Sequence, residues 1–248
     1  DHKTGKPITS STPFHIASLS KQFTGAAIAL LIEEGKLSES DDIRRHVPEL
    51  PDYGETITIG HLLRHNSGVR NHMALASFGA GGMPSSHRQA LELVVRQSAL
   101  NFAPGQEYDY YNAGYVLLAE TVQRVSGQPF DRFVTSHIFA PLGMNDSGFS
   151  SPGVSRAYNK LPSGDFELNE RVNRAYGSSG VTSSIEDLAR WLDNFETGRL
   201  GGKSFAQRLL TTGHLRDGTA IPYGYGISVE RGNDGIEGLT LIRHGRWA

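Results

Sequence analysis

Apolar residues fall along the chain in blocks separated by glycine, proline and short polar runs. The densest block follows Ser18. There Phe23, Ala26, Ala27, Leu30 and Leu31 repeat at the three- and four-residue steps of one helix face, and Ile28 and Ile32 widen the stripe. The pattern predicts a helix over 18–34 stopped by Gly35, and a helix apolar on most sides belongs in an interior. A short helix is predicted over 59–64, closed by Asn66-Ser67-Gly68, and the glycine-rich stretch 78–84 reads as a loop. Ser86 and Gln89 form a capping box ahead of a helix with Leu91, Val94 and Val95 on its apolar face. Further helices are predicted over 113–126, stopped by Gly127, and over 129–139, closed by Pro141 and Gly143.

The pattern changes after Gly177. Ser184 and Asp187 make a second capping box, opening a helix that ends at Gly198. Tyr223, Tyr225, Ile227 and Val229 alternate with small or polar residues, the period of a half-buried strand. Asn233-Asp234-Gly235 is a turn signal, and residues 239–243 read as the returning strand. Helices followed by strands predict an α+β fold: an antiparallel sheet flanked by helices, with a mostly helical insert. The boundaries predicted are 1–40 plus 177–248 for the sheet domain and 41–176 for the helical one.

Composition narrows the class. The chain has 248 residues, 38% of them hydrophobic, enough for a substantial core. A net charge of −2 gives no electrostatic footprint for nucleic acid or an anionic membrane. No apolar run reaches the roughly 18–20 residues that span a bilayer. With no cysteine, thiolate nucleophiles, disulfides and cysteine metal sites are excluded. No secretory leader pattern follows Asp1-His2-Lys3. His61 and His65 stand four apart, as two metal ligands on a helix would, but without the Glu of a His-Glu-x-x-His motif a structural role is expected. Neither a metal nor a cofactor is predicted.

Three short constellations carry candidate chemistry. In Ser18-x-x-Lys21 a desolvated lysine loses its proton readily and so serves as base to a neighbouring hydroxyl. The helix start adds backbone N–H groups suited to an oxyanion. Read plainly, the same four residues are a serine cap and a solvated lysine. Tyr110-Tyr111-Asn112, after the Pro104-Gly105 turn, places a phenol and an amide together ahead of a helix; aromatic packing and an Asn N-cap are the plain alternative. Arg243-His244-Gly245 closes the last predicted strand, where glycine lets a substrate approach the backbone.

In this order and spacing the three resemble the serine β-lactamase and penicillin-binding-protein superfamily, in the branch of class C β-lactamases, D-aminopeptidases and family VIII carboxylesterases. Its motifs are Ser-x-x-Lys, Tyr-x-Asn and a Lys/His-x-Gly strand. The likeness covers nearly the whole chain. It includes 14–23 around Ser18, the Leu-Leu-x-His-x-Ser-Gly stretch within 57–68, Pro141-Leu-Gly-Met144, and Gly177-Ser-Ser-Gly180 with Asp187-Leu188.

The resemblance implies an α/β sandwich and an acyl-enzyme mechanism. Ser18 would be the nucleophile, and Lys21 and Tyr110 would share proton transfer, in roles left open. Asn112, His244, Tyr111 and Arg246 would meet the substrate, with the N–H groups of Ser18 and Trp247 as oxyanion hole. It implies a small ester, amide or β-lactam substrate and a periplasmic or secreted location. A histidine at 244, where lactamases commonly carry lysine, favours an esterase or D-amino-acid peptidase over a β-lactamase or DD-peptidase; Arg246 would reverse that preference by restoring positive charge. Arg246 also stands where the family usually has glycine. A non-catalytic binding or assembly member is the rival from another class. Seventeen residues precede Ser18 and four follow His244, fewer than the family's strands need. The sheet is therefore expected to be truncated at both ends, with missing strands supplied by another segment or chain.

Overall fold

The structure is a computed structural model and describes residues 5–77, 84–150, 152–169, 175–231 and 237–238. Its helices are α1 (Ser20–Glu33), α2 (Ile59–Leu63), α3 (His72–Ser77), α4 (His87–Val95), α5 (Ala113–Ser126), α6 (Phe130–Val134), α7 (Ala140–Leu142), α8 (Ile185–Thr197) and α9 (Gly202–Leu209). Its strands are β1 (Phe14–His15), β2 (Ala157–Lys160), β3 (Phe166–Asn169), β4 (Thr182–Ser183), β5 (Gly213–His214), β6 (Ala220–Ile221), β7 (Glu230–Arg231) and β8 (Glu237–Gly238). They pair antiparallel as β1–β4, β2–β3, β5–β6 and β7–β8. Among the described residues the arrangement is α+β, with helices and small two-stranded sheets.

The centre is α1, as its all-round apolar sequence requires. Every residue from Ser20 to Ala29 is buried, and α5, α6 and α9 pack around it. Phe23 lies edge-on to Phe139 and tilted against Trp191, both ring centroids 5.0 Å away. Each such ring removed from water contributes roughly 1.5–3 kcal/mol. Gly35, with φ +70°, ends the helix as predicted: its N–H bonds Ile32 O and that of Lys36 bonds Leu31 O. Ser18 precedes α1 proper, in a single 3₁₀ turn over Ala17–Leu19.

Three helices depart in detail from expectation. Both capping boxes are half made. The Ser86 and Ser184 hydroxyls accept the N–H groups of Gln89 and Asp187. The Gln89 side chain bonds Ser85 instead, and Asp187 accepts from Asp146 N–H and the Ser147 hydroxyl. The helix from 130 runs on through a π-helical turn at Thr135–Phe139 and past Pro141 to Gly143, whose φ is +71°.

The strand expected over 223–229 is instead a tight reversal. Gly224 N–H bonds Ile227 O at 2.8 Å, Tyr223 and Ser228 form an isolated bridge, and Tyr225 N–H bonds Leu209 O. The small residues that created the alternation are needed for close approach to α1. A Cβ on Gly226 would lie 2.4 Å from Lys21 O, and one on Gly25 would lie 2.1 Å from Tyr225 O. Tyr225 also donates its hydroxyl to Glu39, which accepts Arg64 Nη1 at 2.6 Å. The predicted return strand at 239–243 and the turn at 233–235 lie outside the described residues, as does most of the loop at 78–84.

Candidate active site

Pairing of β1 with β4 sets Phe14 opposite Ser183 and His15 opposite Thr182, so the approach to Ser18 runs beside the Gly177–Val181 segment. Ile16 N–H bonds Val181 O, Val181 N–H bonds Ser20 Oγ, and Thr24 Oγ1 donates to Gly177 O at 2.8 Å. Ala17 takes φ +48°, an uncommon value for a residue with a Cβ, where the strand kinks into the Ser18 turn. Gly177, at φ +89°, passes so close to α5 that a Cβ would lie 2.0 Å from Tyr115 O.

Lys21 is wholly buried in this junction. Its Nζ donates to Asn112 Oδ1 at 2.8 Å and to Ser178 O at 3.1 Å, and lies 3.3 Å from Ser18 Oγ. It also stands 4.8 Å from the Tyr110 ring centroid and 5.6 Å from that of Tyr115. Among the described residues no carboxylate pairs with it. Burial without a counter-charge pulls its pKa from 10.5 to about 7. The Tyr110 phenol shows the opposite effect: burial lifts it to about 12, although a hydrogen bond with Ser18 opposes the rise.

The chain thus brings together Ser18, Lys21, Tyr110 and Asn112. Asn112 caps nothing. Its Oδ1 is on Lys21 and its Nδ2 contacts Met73 Sδ at 2.7 Å, while α5 starts behind it. Tyr111 does not share the opening. It is 3% exposed and its hydroxyl meets Ser67 Oγ at 2.9 Å. His244, Arg246 and Trp247 lie outside the described residues. His61 and His65 do not share a helix face: α2 stops at Leu63, His65 takes φ +58°, and His61 Nδ1 accepts Thr58 N–H in a capping box. Among the described residues no cluster fit to hold a metal forms, and no helix is long and apolar enough to cross a membrane.

Two contributors were not singled out as site residues from the sequence, although Gly177-Ser-Ser-Gly180 belongs to the likeness. The acceptor at Ser178 is a backbone carbonyl, aimed by glycines at 177 and 180 with φ of +89° and +102°. A buried histidine, His72, adjoins Met73; burial and the positive fields of His87 and Lys21 lower its pKa to about 4.

Comparison with known proteins gives a consistent set. The family described as Beta-lactamase matches residues 1–247. The chain is 30% identical over 267 aligned positions to "Penicillin-binding protein 4*" of Bacillus subtilis (strain 168), covering 98% of this chain and 57% of that one. It is 27% identical to the "D-aminopeptidase" of Brucella anthropi, over 99% of this chain and 47% of that one. A penicillin-binding protein structure from Bacillus halodurans superposes with TM-score 0.80 at 27% identity, covering 95% of this chain and 74% of the other. The chain spans about half the length of the curated relatives it matches.

Proposed function

The chain belongs to the beta-lactamase family, and on that premise we propose that it is a serine hydrolase acting through an acyl-enzyme on ester or amide substrates. One observation carries the reading: the surroundings of Lys21. A neutral amine has two N–H bonds and one lone pair. Asn112 Oδ1 and Ser178 O take the two N–H bonds at 2.8 and 3.1 Å, which leaves the lone pair toward Ser18 Oγ at 3.3 Å. With its pKa near 7, Lys21 is substantially unprotonated at neutral pH. Tyr110, raised to about 12, is a phenol there and not a phenolate. Lys21 is therefore the base and Tyr110 the relay.

In the reaction, Ser18 Oγ attacks the substrate carbonyl carbon as its proton passes to Lys21 Nζ. The C–O or C–N bond to the leaving group then breaks as that group takes a proton through the Tyr110 hydroxyl. Water then attacks the acyl-Ser18 carbonyl as Lys21 Nζ takes one of its protons; the bond from the acyl carbon to Ser18 Oγ breaks, Ser18 Oγ takes that proton back, and the acid is freed. The N–H groups of Ser18 and Trp247 are the oxyanion donors in this reading, each worth about 3 kcal/mol. In this reading His244 and Arg246 contribute to substrate binding. Tyr111 acts indirectly, tying its loop to Ser67. The site lies at the seam between the segment carrying Ser18, Lys21 and Ser178 and the helical segment carrying Tyr110 and Asn112. An esterase or D-amino-acid peptidase fits this reading, as the relative named D-aminopeptidase does; a β-lactamase or DD-peptidase is the second reading, favoured by the relative named as penicillin-binding protein.

The test is hydrolysis of a short-chain nitrophenyl ester, a D-amino-acid amide and a chromogenic cephalosporin by this chain and by Ser18→Ala, with intact mass recorded during turnover. Ester or amide turnover lost in the variant, with an acyl mass on Ser18, supports the proposal. Preferential cephalosporin turnover moves it to the second reading. Folded protein with no Ser18-dependent turnover or adduct overturns it and leaves a binding member of the family.

A further inference from the structure

His65 is wholly buried and lies amid tyrosine rings. Its centroid is 4.4 Å from Tyr110, 4.7 Å from Tyr223, 5.1 Å from Tyr115, 5.9 Å from Tyr111 and 6.3 Å from Tyr108. Of these rings Tyr110 is the nearest, and Lys21 Nζ lies 4.8 Å from its centroid. The backbone of the same residue reaches the same loop. His65 O accepts Asp109 N–H at 3.0 Å, one residue before Tyr110, and Asn66 O accepts Gly105 N–H at 2.7 Å.

The choice of residue fits both tasks. At φ +58° the position lies in the left-handed region, where a bulky side chain is strained and where Asn, Asp and His are the non-glycine residues most often found. Asparagine and aspartate have no aromatic ring to set against Tyr110. Phenylalanine has a ring but tolerates the backbone poorly. Histidine joins a ring to a tolerant backbone, which accounts for an imidazole buried among phenols.

We infer that His65 is a positioning residue for Tyr110: its ring backs the Tyr110 ring, and its left-handed carbonyl anchors the loop that carries it. This rests on the proposed hydrolase reading for its effect on rate, but the placement of Tyr110 stands apart from it. The role is indirect, since His65 acts on Ser18 and the substrate only through Tyr110.

The experiment compares His65→Asn, which keeps a left-handed backbone but deletes the ring, with His65→Phe, which keeps a ring and strains the backbone. With the nitrophenyl ester, His65→Asn is expected to lower kcat by about 10- to 100-fold, the scale of a displaced catalytic group, with KM changed by less than about threefold. His65→Phe should recover most of that loss per folded molecule, though it melts lower. A second measurement needs no turnover. With tyrosine labelled at the ring carbon bearing the hydroxyl, the Tyr110 signal, assigned through Tyr110→Phe, should shift on Ser18→Ala in the otherwise native chain. It should shift little when His65→Asn is already present. Unchanged kcat in His65→Asn, a loss of kcat that follows the unfolded fraction, or no recovery by His65→Phe overturns the inference. So does an equal response of the Tyr110 signal to Ser18→Ala in both backgrounds. If the native chain has no Ser18-dependent turnover, the hydrolase reading fails and the labelled-tyrosine comparison still decides the role of His65.

Discussion

Lys21 Nζ donates to Asn112 Oδ1 over 2.8 Å, joining two side chains 91 positions apart. Around that contact α1 and the start of α5 meet, and neither side chain takes the solvated or capping role its position suggests. A lysine at a helix start is ordinarily solvated, and an asparagine before a helix ordinarily caps it. Here neither happens, because the lysine has no water to reach and the amide oxygen is the acceptor that replaces it.

Removing that acceptor should cost more in rate than in folding. Asn112→Leu keeps the branched shape but leaves a Lys21 N–H unmatched, a penalty of about 1–3 kcal/mol for a buried donor. The expected outcome is a kcat on the nitrophenyl ester lower by about 10- to 100-fold, with a cooperative melt retained. A kcat within about twofold of the native chain would remove Asn112 from the proton-transfer arrangement.

The pH–rate profile should report Lys21. Because the base acts unprotonated, kcat/KM is expected to rise as pH increases through about 7 and then level off. Asn112→Asp places a carboxylate where the amide oxygen was, which favours the ammonium and raises the lysine pKa. The rising limb should therefore move to higher pH in that variant, by about one unit or more. A limb that stays near 7 assigns the titration to another group.

Stability should carry the same signature. Folding lowers the Lys21 pKa from 10.5 to about 7. Between those values the unfolded chain holds a proton that the folded chain has released, so this group makes stability rise with pH across that window. Below about pH 7 both states are protonated and the full cost of a buried ammonium remains. Compared with Lys21→Met, the native chain should thus melt relatively lower at pH 6 and regain ground toward pH 10. A Tm difference independent of pH over that range would contradict the buried, unpaired state of Lys21.

Gly177 and Gly127 offer a matched pair. Both have positive φ, +89° and +70°, but a Cβ on Gly127 meets nothing within 4 Å, while one on Gly177 lies 2.0 Å from Tyr115 O. Gly127→Ala should cost about 1 kcal/mol, from the backbone alone. Gly177→Ala should cost that plus roughly 1–3 kcal/mol of overpacking, and should lower kcat by moving Ser178 O away from Lys21. Thermal melts and ester kinetics on the two variants separate strain from displacement. Equal effects in both would show that close packing at 177 is unimportant.

The periodic segments were legible in the chain because their physics is local. The Ser20–Glu33 and Ala113–Ser126 helices and their glycine stops follow from apolar spacing and from the freedom of Gly35 and Gly127 to adopt positive φ. Ser18, Lys21, Tyr110 and Asn112 were legible as residue types at set spacings, and the family they point to is the one the chain matches. Tertiary structure decided the rest. The alternation over 223–229 reads as a strand in sequence, yet the glycines that produce it serve a reversal pressed against Lys21 O, a contact with no trace in the local pattern. Tyr110 and Tyr111 are neighbours of one chemical type, and only packing sets the first ring beside Lys21 and sends the second hydroxyl to Ser67. The acceptor at Ser178 O is backbone, which every residue has, so its importance comes from position alone. The sequence by itself determined which groups can exchange a proton. Burial, which depends on everything packed around Lys21, decided that this lysine gives up its own near neutral pH.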